Sequence, residues 1–163
     1  MVDINADIIS FKSMGNVCLG QSIDFYLDDI FSRYDVDIKQ YSLPFPSEEK
    51  RHGYTLDHGA LIISTTPDDI IVSVGGNEDY CGKYNGTLYP GMTMEALIRH
   101  AKDLRIVNGS LIVDGDYGLS FSLPAPYDEI ADVIQQIPLD LPLNEIYVCD
   151  HSAWAPKQKK KRS

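Results

Sequence analysis

No run of apolar residues in this 163-residue chain approaches membrane-spanning length. The N-terminus, Met1-Val-Asp-Ile-Asn-Ala-Asp7, lacks the basic start and apolar core of a secretory signal. Cysteine is scarce and odd in number, and the spacings of Cys18, Cys81 and Cys149 fit no metal motif. These absences together predict reduced thiols in a cytoplasmic protein, with the three cysteines buried as small apolar residues. There is no Gly-x4-Gly-Lys-Ser/Thr, no Gly-x-Gly-x-x-Gly, no Gly-x-Ser-x-Gly and no His-Glu-x-x-His. Asp57-His58 and Asp150-His151 are adjacent pairs, but neighbours in a strand point to opposite faces, so neither is a carboxylate-oriented base by itself. Cys81 sits in a Gly-rich loop whose Glu78 and Asp79 disfavour its thiolate. Asp114-Gly-Asp116 opens like a calcium loop. Positions six and twelve would then be Leu119 and Ala125, where a glycine and a glutamate are needed, so it reads as a turn. No catalytic residue, metal site or cofactor is assigned, and the chain is expected not to be an enzyme.

Basic charge is also scarce, and it is concentrated. Lys157, Lys159, Lys160, Lys161 and Arg162 fall in the last seven residues, leaving nine basic residues against 24 acidic ones in the body. The formal net charge of -10 for the whole chain therefore hides a body near −15. Such a surface repels nucleic acid and anionic membranes, and it steers basic proteins or cationic ligands. Residues 156–163 are expected to form a disordered basic tail on a single domain, residues 1–155.

What is present is a repeat. Gly15-Asn-Val-Cys-Leu-Gly-Gln-Ser-Ile-Asp-Phe-Tyr-Leu27 returns about 71 residues later as Gly86-Thr-Leu-Tyr-Pro-Gly-Met-Thr-Met-Glu-Ala-Leu-Ile98. Gly15 matches Gly86, Gly20 matches Gly91, Ser22 matches Thr93, and Asp24 matches Glu95. Each copy reads as a glycine turn, a hydroxyl N-cap and an acidic first helical turn.

After the first cap, Ile23, Tyr26, Leu27, Ile30 and Phe31 define one helical face over residues 23–33. A strand over 36–43 follows, with Val36, Ile38, Tyr41 and Leu43 as burial candidates. A polar loop over 44–52 leads to short strands at 54–56, 60–65 and 70–74. After the second cap a helix is expected over 94–104. Asn108-Gly109 between apolar runs predicts a type I′ hairpin, and Leu119-Ser-Phe-Ser-Leu123 alternates as a strand. A helix over 127–137 and a closing strand over 145–149 complete the pattern. The fold class is α+β: tandem helix plus antiparallel β-meander halves, at about 8–75 and 80–150, with helices packed on one face of the sheet. The halves either share one continuous sheet or stack as two lobes.

Loop acids remain as the candidate recognition residues: Glu48, Glu49, Asp68, Asp69, Glu78, Asp79, Asp114 and Asp116, accompanied by Tyr54, Tyr80 and Tyr117. Tyrosine flanked by carboxylates suits an interface aimed at Arg or Lys.

The run Gly86 to Leu97, with Ile106-Val-Asn-Gly-Ser-Leu-Ile-Val-Asp-Gly-Asp-Tyr-Gly-Leu-Ser-Phe121 and the Pro-rich exit to Tyr127-Asp-Glu-Ile-Ala-Asp132, resembles small acidic immunity proteins of bacterial polymorphic and contact-dependent toxin systems. The resemblance covers the C-terminal half and reaches the N-terminal half only through the repeat. It implies a cytoplasmic antitoxin that binds a cognate toxin domain, here a basic one acting on nucleic acid, and occludes its active site or substrate surface. Two other readings stand beside it: a binding or scaffold protein for another partner, and a hydrolase with a His/Asp site.

Overall fold

The computed structural model describes residues 1–156; the expected basic tail lies outside the described residues beyond Pro156. Its N-terminal part forms a small hairpin of β1 (Ser13–Met14) and β2 (Val17–Cys18). A 3-10 turn, Ile23–Phe25, then leads into α1 (Leu27–Arg33). Four strands follow: β3 (Val36–Ser42), β4 (Lys50–Leu56), β5 (Leu61–Thr65) and β6 (Ile71–Gly76). After α2 (Met94–His100) come β7 (Leu104–Val107), β8 (Ser110–Val113) and β9 (Leu119–Ser122). A short α3 (Tyr127–Ile130) precedes the last strand, β10 (Glu145–Cys149). The strands from β3 onward make one eight-stranded sheet in the order β3-β4-β5-β6-β10-β9-β8-β7, antiparallel at every pairing. The protein is thus α+β, with one continuous sheet in place of two stacked lobes.

Local chemistry accounts for the turns. Asn108 and Gly109 both adopt positive φ, 51° and 75°, as a two-residue hairpin loop between β7 and β8 requires. Ser22 accepts a hydrogen bond from the Asp24 amide at 3.2 Å, and Thr93 accepts one from the Ala96 amide at 3.2 Å, so both hydroxyl caps are in place.

One face of the sheet makes the core. Tyr54, Ile63, Val74, Val148 and Leu119 are successive cross-strand partners from β4 to β9, all buried. Ile146, Phe121 and Leu111 form a second row. Ile23 and Ile30 from the first helical segment, and Met94 and Leu97 from α2, belong to the same cluster. Burying each such side chain stabilises the fold by roughly 1.5–3 kcal/mol.

The helices are shorter than their apolar periodicity suggests. The first is broken at Tyr26, and Phe31 is 55% exposed. The second ends at His100, and the third stops after one turn and resumes as a 3-10 turn, Ile134–Gln136. β3 is also less buried than its alternation implies, because it is an edge strand: Ile38 and Tyr41 are 47% and 42% exposed. β4 extends back through the expected polar loop to Lys50. Among the cysteines none is fully buried: Cys81 is exposed and the other two are half-buried. Among the described residues, no helix is long and apolar enough to cross a membrane.

Candidate functional site

The second face of the sheet is built from the residues that alternate with the core. Gly53, Ser64, Ser73 and Cys149 form one cross-strand row, and Thr55, Ile62, Gly75, Tyr147 and Ser120 form the next. Small side chains dominate this face, and the surface they leave is a groove of about 890 Å³. Its larger walls are Tyr41 and Arg51 on one side, with Tyr147 and His151 also lining it.

Two tyrosines lie across two glycines. A Cβ on Gly75 would stand 2.3 Å from Cδ1 of Tyr147, and one on Gly53 would stand 3.6 Å from Cε1 of Tyr41. The bare glycine backbone therefore gives the Tyr147 ring its seat, an aromatic covering a strand glycine on the neighbouring strand. The Tyr147 hydroxyl donates to Glu145 Oε2 at 3.0 Å. Burial, then the Glu145 carboxylate, pushes this phenol well above the usual tyrosine range, and Tyr41 adds to the effect from the groove wall. Arg51 is held by Glu49, with Nη2 and Nε at 2.9 and 3.3 Å from Oε2. Burial raises the Cys149 thiol above its ordinary pKa, and Asp150 adds to this while Arg51 opposes it.

At one corner of the groove, Ser120 Oγ and His151 Nε2 are 3.2 Å apart. His151 stacks on Trp154, centroids 4.2 Å apart and planes within 15°, and burial lowers its pKa. This is a hydroxyl–imidazole contact of the kind nucleophilic catalysis uses. The adjacent Asp150 carboxylate, however, accepts from the amide and hydroxyl of Ser152, and those bonds lower its pKa. Ser120 lies within a strand and is 3% exposed.

The strand directions sort the sequence-selected acids into two groups. The β3–β4 loop, the β5–β6 turn, the β8–β9 turn and the residues after β10 share one end of the sheet. Glu48, Glu49, Asp68, Asp69, Asp114, Asp116 and Tyr117 belong to that end, as does Asp150. Ile70, Asp150 and His151 line the groove at that end, and Ser110 and Ser122 line it at the other. Glu78, Asp79 and Tyr80 follow β6 and belong to the opposite end.

Several of these residues have internal work. Asp114 Oδ1 accepts from the amides of Lys102 and Asp103 at 2.7 and 2.8 Å, tying the start of β7 to the end of β8. Asp116 accepts from Ser10 Oγ, from the Gly118 amide at 2.9 Å and from the Tyr84 hydroxyl at 2.6 Å. The three selected tyrosines correct the expectation of an aromatic rim. Tyr54, Tyr80 and Tyr117 are 9%, 2% and 9% exposed. Tyr54 is in the central core row, Tyr80 accepts from the Gly15 amide at 2.8 Å and donates to Ala6 O, and Tyr117 accepts from Arg105 at 3.0 Å. A phenol in a core keeps its hydroxyl bonded internally, which is why neighbouring acids in sequence did not mark it as exposed. Of the selected carboxylates, Glu48, Asp68, Glu78, Asp79 and Asp114 are exposed, and Glu49, Asp69 and Asp116 are half-buried.

Sequence reasoning passed over the groove residues. Their signal was alternation: Gly53 and Thr55 in β4, Ile62 and Ser64 in β5, and Tyr147 and Cys149 in β10 alternate with core positions. Among the described residues, no group of three or more His, Cys, Asp or Glu is placed to hold a metal ion. Compared with family models, with curated proteins and with solved structures, the chain matches none of them.

Proposed function

We propose that this chain is a non-enzymatic protein inhibitor: an immunity protein that binds a basic, nucleic-acid-targeting toxin domain and occludes its active site or substrate surface. The observation that carries the reading is the groove on the second sheet face, whose lining residues Ile70, Asp150 and His151 lie at the end of the sheet that also holds Glu48, Glu49, Asp68 and Asp69. A groove supplies complementary shape for an inserted segment, and a carboxylate rim selects Lys and Arg around it. The surplus of acid over the body steers a cationic domain toward that rim and slows non-cognate anionic partners.

The proposed architecture behind this surface is a duplicated unit. What supports it is a set of matched backbone bonds. Gly20 N donates to Ile71 O, Ile23 N to Asp69 O and Ile71 N to Gln21 O. Gly91 N donates to Leu143 O, Met94 N to Leu141 O and Leu143 N to Met92 O in the same pattern. Asp57 and Asp114, at φ 48° and 51°, each end a second meander strand and each clamp the residue that starts the first, Asp35 and Asp103.

The Ser120–His151 contact favours a second reading, hydrolysis, and one experiment separates the two. The chain is co-expressed with the toxin encoded beside it, and cell survival is scored. Binding predicts protection by the wild type, undiminished protection by Ser120→Ala, and loss of protection when Glu48 and Asp68 are both changed to Lys. Protection abolished by Ser120→Ala alone, in a protein that remains folded, selects hydrolysis. No protection from the wild type refutes the immunity reading.

A further inference from the structure

The first strand of the large sheet has a free side. Among the described residues β3 pairs only with β4, and every residue from Asp37 to Ser42 is exposed. The backbone bonds at its two ends fix which residues face outward. Leu43 N donates to Glu49 O, and Asp57 N donates to Asp35 O, so the odd-numbered residues direct their amides and carbonyls to β4. In an antiparallel ladder the alternate residues turn theirs the other way. Val36, Ile38 and Gln40 thus present an open row of backbone donors and acceptors, and such a row is a template for another strand.

We infer that this edge pairs with the same edge of a second copy of the chain, antiparallel, in the register that places Ile38 opposite Ile38 across a two-fold axis. The side chains select both the occupant and the register. Asp37 and Lys39 are 65% and 79% exposed, and they flank Ile38, itself 47% exposed. With Ile38 on the axis, Asp37 of each copy stands opposite Lys39 of the other, and this happens twice by symmetry. Sliding the register by one residue on each strand puts Lys39 opposite Lys39, or Asp37 opposite Asp37. Opposite charges directly across an antiparallel pair stabilise it, and like charges destabilise it. Charged residues on an edge commonly block pairing, but this ordered pair of opposite signs is complementary to itself. About six backbone hydrogen bonds join the two edges in this register, two at each of the Ile38–Ile38 and paired Val36–Gln40 positions. The dimer continues the sheet through its axis.

Sedimentation velocity of the full chain at about 0.15 M salt tests the inference over a concentration series reaching about 1 mM. The wild type is expected to shift from monomer to dimer. Asp37→Lys and Lys39→Glu each convert both cross-strand pairs to like charges and should weaken the dimer about tenfold or more. Asp37→Lys also lowers the net negative charge, so a loss of dimer in that variant is opposite to the effect of general repulsion. The double variant Asp37→Lys/Lys39→Asp restores opposite pairs at unchanged net charge and should return the dimer to within about threefold of the wild type. Both positions are exposed, and circular dichroism checks that each variant is folded. A wild type that stays monomeric throughout, or a dimer indifferent to the single reversals, overturns the inference.

Discussion

Gly75→Ala tests the physical basis of the groove. The alanine methyl would lie 2.3 and 2.4 Å from Cδ1 and Cε1 of Tyr147, and 2.9 Å from the backbone oxygen of Ile146. The ring must leave its seat, because no ordinary carbon contact is that short. Its departure also breaks the 3.0 Å bond from the Tyr147 hydroxyl to Glu145. Overpacking of this kind costs about 1–3 kcal/mol. The lost half-buried hydrogen bond adds about 1 kcal/mol. Replacing glycine by alanine restrains the unfolded chain and returns about 0.4–1 kcal/mol. The net expectation is a loss of about 2–3 kcal/mol. Urea unfolding followed by circular dichroism reads this directly: with m of about 2 kcal/mol/M, the midpoint should fall by about 1 M or slightly more, with m unchanged. The mechanism also predicts coupling. Tyr147→Ala removes the ring that the new methyl strikes, so Gly75→Ala in that background should cost at least about 1 kcal/mol less than in the wild type. The contact with Ile146 O persists and keeps part of the cost. A Gly75→Ala midpoint within about 0.2 M of the wild type, or strict additivity with Tyr147→Ala, refutes the account of Tyr147 seated on Gly75.

Asp114→Ala should destabilise by about 2 kcal/mol, since it leaves the Lys102 and Asp103 amides unpaired and puts alanine at φ 51°, whereas Asp114→Asn keeps an acceptor and tolerates that conformation and should cost under about 1 kcal/mol in the same denaturation assay. Ultraviolet titration of the phenols should show Tyr80 and Tyr84 ionising near pH 12, raised first by burial and, for Tyr84, next by its bond to Asp116; Tyr147 should titrate later still. Raised phenol pKa values mean that the folded state holds protons the unfolded state releases, so stability should be level below pH 10 and fall as pH rises through 10 to 12. For His151 the sign is reversed: its folded pKa lies below 6.5 because burial disfavours the charged ring, so the unfolded chain binds the extra proton and stability falls as pH drops below 6.5. Trp154, the single tryptophan, stacks on this ring, and its fluorescence should change with a midpoint below 6.5; a midpoint above 6.5 contradicts a buried imidazole.

The features legible in the sequence were those written in local chemistry. Asn108-Gly109 demanded positive φ at two successive residues, and the hairpin is there. Ser22 and Thr93 offered a hydroxyl before an acidic turn, and each accepts an amide of its own helix start. Leu119 and Phe121 alternated with serines and are core residues of β9. The failures share a cause: side-chain pattern reports amphipathicity but not which neighbour covers a face. Phe31 has helical spacing yet is exposed, because the helix carrying it is about two turns long. Tyr54, Tyr80 and Tyr117 sit among acids in sequence, a pattern that suits an interface aimed at Arg or Lys. Folding turned each ring inward and bonded the hydroxyls of Tyr80 and Tyr117 to the chain, while the acids beside them stayed at the surface or became caps.

By itself the sequence determined the α+β class, the glycine-hinged and hydroxyl-capped helix starts, and the acid surplus. Each depends on contacts within a few residues or on composition alone. Only the tertiary structure decided that β6 pairs with β10. That pairing of strands about 70 residues apart joins the two meanders into one sheet and sets every other strand's place in the order. It also decided that one alternating set of side chains becomes core while the other, with Tyr147 on Gly75, becomes the groove. The physical reason is that strand alternation is symmetric between two faces, and only the elements that pack against a sheet determine which face water keeps.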